Sequence, residues 1–254
     1  MSKKYNLEIC IDSVESAINA QNGGAQRVEL CANLPLGGTT PTLGLMEVVR
    51  KHLEIDVYPI IRPRGGDFLF DAYEVEQMAI DIKHFKERDA DGVVIGLLTE
   101  NAEIDIDGSS KLIEAADGMD ITFHRAFDKV IDPFKALDTL KSLGIKRVLS
   151  SGLEPTALEG IEMLNKIAEY AKEDISIMPG SGVNASNVHL LAELPFVKEL
   201  HFSAKNTRKN NMLIQNERVS YSCAGVDENY ISYSDEQKVK EVRNILNRLE
   251  SEAK

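Results

Sequence analysis

The chain has 254 residues, 43% of them hydrophobic, and a formal charge of −12 from 29 basic and 41 acidic side chains. That length admits one large α/β domain with a full core, and the acidic balance argues against nucleic-acid or anionic-membrane partners. Three cysteines do not make a disulfide framework, no run approaches the length of an apolar membrane span, and Glu8 and Asp12 break the first apolar run, so a cytoplasmic protein is expected.

In chain order, strand-like runs are expected at residues 5–10, 27–31, 56–62, 92–96, 120–125, 147–151, 176–179 and 199–203. Helical spacing of apolar residues marks 71–89 (Val75, Met78, Ala79, Ile82, Phe85) and 155–172 (Leu158, Ile161, Leu164, Ile167, Ala168). Asp132-Pro133 opens another helix as a cap followed by proline. A last, heavily charged helix over 235–253 keeps Val239, Val242, Ile245, Leu246 and Leu249 as its apolar stripe. Eight strands spaced one βα unit apart suggest a single-domain (β/α)8 TIM barrel; the competing doubly wound sheet would show a glycine fingerprint after its first strand, and none follows Cys10. Residues 204–234 form the one irregular piece, a long loop after the eighth strand.

The first two strands, LEIC and VELC, carry the same alternation. If Leu7, Ile9, Val28 and Leu30 face the helices, then Glu8, Cys10, Glu29 and Cys31 face inward. Two thiols on adjacent strands can meet one ion, although buried cysteine also serves as plain core filler. Buried glutamates need cations, and Arg62 and Arg125, at other strand ends, are the expected partners. Asp128 completes this polar network by pairing with Arg125 or orienting His124.

The remaining polar groups suit an anion. In PIIRPRGGDF, Arg62 and Arg64 flank a proline ahead of a glycine pair, an arrangement matched to carboxylate or phosphate. In ITFHRAFD, His124 is placed to move a proton. Ser151 in VLSSG, the Gly180-Ser181-Gly182 turn and His201 in LHFSAK line the late strands, where barrels bind phosphate, with Asn184 expected to cap the following helix.

Taken together, EICIDSVESAINAQNGGAQRVELCANLPLGGTTPTLG, PIIRPRGGDF, DGVVIGLL, FHRAFD, VLSSG, PGSGV and ELHFSA resemble the copper homeostasis protein CutC family from about residue 7 to 204. The resemblance implies a TIM barrel, a cytoplasmic homo-oligomer and control of copper through binding of copper as Cu(I). It puts the family's copper-binding cysteines on Cys10 and Cys31, which agrees with the preference of Cu(I) for thiolates; no role passes to Cys223. Two readings follow. One is a copper-binding protein without turnover. The other is an enzyme acting on a small phosphorylated or carboxylated metabolite, with Arg62, Arg64 and Arg125 on the anion, His124 as proton carrier and Glu29 as base.

Overall fold

The structure is a computed structural model that describes residues 4–214, 216, 218–219 and 227–252; Cys223 lies outside them. Strand and helix alternate: β1 (Asn6–Ile11), α1 (Val14–Asn22), β2 (Arg27–Leu30), α2 (Leu43–His52), β3 (Asp56–Pro59), α3 (Ala72–Lys86), β4 (Gly92–Ile95) and α4 (Ile106–Ala116). β5 (Asp120–Phe123), α5 (Pro133–Ser142), β6 (Arg147–Ser150), α6 (Ile161–Ala171), β7 (Ser176–Pro179), α7 (Val188–Ala192) and β8 (Glu199–Phe202) continue the series. All pairings within the series are parallel, in the orders β3-β2-β1-β8 and β4-β5-β6-β7. The two sheets meet where Ile60 bridges Val94 and the Ile61 amide donates to the Val94 carbonyl at 2.8 Å; on the other side β7 lies beside β8. The ring is a TIM barrel.

The strands can mix apolar and polar residues because only the outward-facing ones need to be apolar. Leu7, Ile9, Ile11, Val28 and Leu30 are fully buried in the layer between strands and helices. The interior has a small apolar cluster of its own, made by Cys31, Tyr58, Ile60 and Val94 with Cys10 and Leu34 against it. Helix starts follow local chemistry. Asp71 and Glu74 form a reciprocal capping box on α3, and the Asp132 carboxylate accepts the Phe134 and Lys135 amides with Pro133 in the first turn of α5.

Three expectations change. The segment 204–234 is not a plain loop: β9 (Lys205–Lys209) and β10 (Tyr230–Ser234) pair antiparallel at its two ends. This hairpin is anchored on α1, where the Ser234 amide donates to Ser16 Oγ at 2.9 Å and Asn19 Nδ2 donates to the Ser234 carbonyl at 3.0 Å. The helix expected from 155 begins at Ile161, because Thr156 and Glu159 bond to each other in a preceding turn. Asn184 does not cap α7; its side chain accepts the Ser186 amide in a local turn, and Asn187 stands at the cap position.

The last helix, α8 (Glu236–Glu252), buries Val239, Val242 and Leu246. It comes so near α1 that a Cβ at Gly23 would collide with the Val239 side chain. Arg243 Nη1 donates to the Tyr5 carbonyl at 2.8 Å, tying this helix to the entry of β1. Among the described residues no helix is long and apolar enough to cross a membrane.

Candidate metal and anion site at the barrel mouth

Glu8, Cys10, Glu29 and Cys31 point into the ring, and the register explains who meets whom. Glu8 stands level with Arg27 of β2 and His201 of β8, and Cys10 stands level with Glu29. Glu8 is 1% exposed and Arg27 2%, so each charge depends on the other. Arg27 Nε donates to Glu8. Arg27 Nη2 donates to Glu199 at 2.6 Å, and the guanidinium lies 4.9 Å from the centre of the Tyr58 ring. Arg147 Nε donates to the same Glu199 carboxylate at 2.7 Å and Arg147 Nη1 to Thr122 at 3.2 Å. The glutamates therefore meet Arg27 and His201, and not Arg62 and Arg125. A side chain pairs with whatever its register brings level: β3 and β5 do not flank β1, and β3 brings Tyr58, not Arg62, level with Glu29.

This floor determines the state of the group above it. Glu8 Oε1 lies 2.7 Å from His201 Nδ1. Burial opposes an ionised Glu8, but Arg27 and His201 hold its pKa well below the ordinary carboxylate range. A Glu8 carboxylate accepts only, so Nδ1 carries the proton and Nε2 is turned toward Glu29, 3.8 Å away, and Cys10. Burial alone would depress the His201 imidazole; Cys10, Glu8 and Glu29 around it push its pKa well above 6.5. Burial pushes Glu29 up to about 7, helped by Glu8 and opposed by His201.

Ligand atoms of Cys10, Glu29 and His201 all lie within 4.8 Å of one another, the group among the described residues best arranged for a metal. Cys31 is buried one step further along β2, packed with Cys10 in the interior cluster. Burial pushes the Cys31 thiol up, with Glu29 and Cys10 adding to the effect. A thiolate and an imidazole whose far nitrogen is held by a carboxylate form a soft donor set with an oriented histidine.

The other residues separate into two groups. Near β3, Arg62 is buried and bonded to loop carbonyls, whereas Arg64 reaches outward to Glu74 at 2.6 Å and Asp67 at 2.9 Å. His124, at the end of β5, is buried against Phe68, with ring centres 5.0 Å apart. Gly96 makes room for it, since a Cβ there would strike the imidazole. Burial, reinforced by the charge of Arg62, lowers its pKa to about 3, so it is neutral across the physiological range and not charged near pH 7.

At β6 the expected phosphate corner is filled from within. Asp128 accepts from Ser150 Oγ at 2.6 Å, Ser151 Oγ at 2.9 Å and the Ser151 amide at 3.1 Å, while Arg125 Nε donates to Asp128 at 2.7 Å. An incoming phosphate would have to displace this carboxylate from its donors. In the next turn Gly180 abuts His201, and Ser181 Oγ donates to the Pro155 carbonyl at 2.8 Å with Gly182 at positive φ.

Arg27, Arg147, Glu199 and Tyr58 escaped sequence reasoning. The signal for Arg27 was present, because it shares the strand parity of Glu29 and Cys31.

Residues 5–206 match the model of the CutC family. A family protein CutC from Photobacterium profundum is 42% identical over 240 residues, covering 94% of this chain and 98% of that one. A copper homeostasis protein cutC homolog from Homo sapiens is 45% identical over 224 residues, 87% of this chain and 82% of the other. The solved structure of a CutC from Streptococcus agalactiae aligns with a TM-score of 0.75 at 34% identity, covering 78% of this chain and 98% of that one.

Proposed function

The chain belongs to the CutC family, and from that premise we propose that it serves copper homeostasis by binding Cu(I) at the barrel mouth. The thiolates of Cys10 and Cys31 are the primary ligands, and His201 Nε2 is a third donor. The observation that supports Cys10 and His201 is their convergence with Glu29 within 4.8 Å; Cys31 is included because it packs with Cys10 in the interior cluster. The Glu8 contact to Nδ1 fixes the ring, so that Nε2, once it gives up its own proton to make way for the ion, aims its lone pair at the same point.

The donors fit the ion. Cu(I) selects soft sulfur and imidazole over oxygen and needs few ligands. The raised Cys31 pKa means that a proton leaves when metal arrives, so binding strengthens as pH rises. Glu29 then takes one of two places: an acceptor for that proton, or a negative neighbour to the bound cation. The relatives bearing the copper homeostasis name support copper as the cargo. The same reading places the protein in the reducing cytoplasm as a homo-oligomer.

The test is anaerobic Cu(I) titration against a chromophoric chelator. The wild type should take up one tightly held equivalent. Cys10→Ser/Cys31→Ser should lose it, and His201→Ala should weaken it by about 10- to 100-fold, as for lost metal ligands and their supports. Unchanged stoichiometry and affinity in the double serine variant would overturn the proposal.

A further inference from the structure

Two buried polar atoms beside β3 and β5 find no hydrogen-bond partner among the described residues, Arg62 Nε and His124 Nε2. Both side chains are well hidden, 5% and 4% exposed. Arg62 Nη1 donates to the carbonyls of Leu36 and Gly38, each at 3.0 Å, and Nη2 donates to that of Gly66 at 2.9 Å. No carboxylate among the described residues forms an ion pair with it, unlike Arg27, Arg64 and Arg125. Its charge is held by loop carbonyls and the Phe68 ring 4.9 Å away, and the Nε–H is left over.

The histidine is set the same way. His124 Nδ1 accepts the Ala126 amide at 3.1 Å, so Nδ1 is bare. A neutral imidazole then carries its hydrogen on Nε2, which makes that atom a donor. Both groups rest on the same Phe68 ring, and the Arg62 charge is felt at His124. The result is one fixed positive charge and two buried N–H donors, Arg62 Nε and His124 Nε2, with no acceptor among the described residues. Buried donors are ordinarily satisfied, and exceptions point to a ligand or a held water.

We propose that Arg62 Nε–H and His124 Nε2–H are the donors of a second binding subsite in the mouth, which takes a small monocarboxylate. A carboxylate brings one negative charge and two acceptor oxygens in a plane, matching one cation and two N–H groups. A phosphate dianion would need more charge than Arg62 supplies. The loop that holds Arg62 also passes Cys31: the Gly38 carbonyl accepts from Arg62 Nη1, and a Cβ on Gly38 would lie 3.2 Å from Cys31 Sγ. This assignment is independent of copper.

Nitrogen-15 NMR of the histidine and arginine side chains reads both donors at once in the metal-free, full-length chain titrated with sodium acetate. The His124 Nε2–H and Arg62 Nε–H signals should move together and give one dissociation constant. In calorimetry His124→Phe should weaken acetate binding by at least about tenfold, the scale of one lost charge-assisted donor, while Arg64→Ala leaves it unchanged. Should His124→Phe not fold, the wild-type titration still decides. Motionless signals would mean that the donors hold only water and would overturn the subsite. Movement of one signal alone, or tighter binding of inorganic phosphate than of acetate, would overturn it equally.

Discussion

Along the β8–β1–β2 arc, Glu8, Arg27, Glu199 and His201 neutralise one another inside the ring. Across β3–β5, Arg62 and His124 are just as buried yet have no counter-ion of their own among the described residues. The first arc spends its charges on orienting one imidazole. The second keeps its hydrogen-bonding capacity for something that enters from outside. Burial alone therefore does not say whether a polar group is structural; the inventory of its partners does.

Removing one member of the closed arc gives the largest effect expected. Glu8→Ala leaves Arg27 with an uncompensated share of buried charge, and breaking a buried pair this way costs about 3–5 kcal/mol. Urea unfolding should show it, and a loss below about 1 kcal/mol would mean that water screens the arc.

Acid titration probes the second arc. The folded-state pKa of His124 lies at about 3, below its ordinary 6.5. As pH falls below 6.5 the unfolded chain takes up a proton that the folded chain refuses, so stability is lost from there down to about 3. Between pH 7 and pH 5 the cost is about 2 kcal/mol. In a carboxylate-free buffer His124→Gln should lose that much less than the wild type over the same interval. Glu29 works in the opposite sense, gaining stability as pH falls from about 7 toward 4.5, but it does so in both proteins and cancels in the difference. Equal acid sensitivity of the two proteins would show that His124 is protonated in the fold.

Arg64 sharpens the contrast from outside. Its pairs with Glu74 and Asp67 are substantially exposed, so Arg64→Ala should change stability by less than about 1 kcal/mol in the same urea assay.

The strands were legible because a barrel imposes one rule on each: apolar outward, free choice inward. LEIC and VELC obey it, and Glu8, Cys10, Glu29 and Cys31 turn inward as their parity demands. Parity does not give register, and register chose the partners. Arg27 falls in the expected strand 27–31, but its partner is not legible until Glu8 is found level with it. The Ser151 part of the expected phosphate corner changes for a similar reason: Asp128, brought over by the turn after β5, reaches the Ser151 amide and hydroxyl first.

The family model ends at residue 206, before Val239, Val242 and Leu246 are buried by α8, although the Photobacterium relative aligns over 94% of the chain. The end of the family model is thus not a boundary of foldability. A protein cut at that point would carry an oily seam over α1 and lose the Arg243 clasp on the Tyr5 carbonyl. The last helix, packed against both α7 and α1 in the outer ring, acts as the final stave that closes the cask.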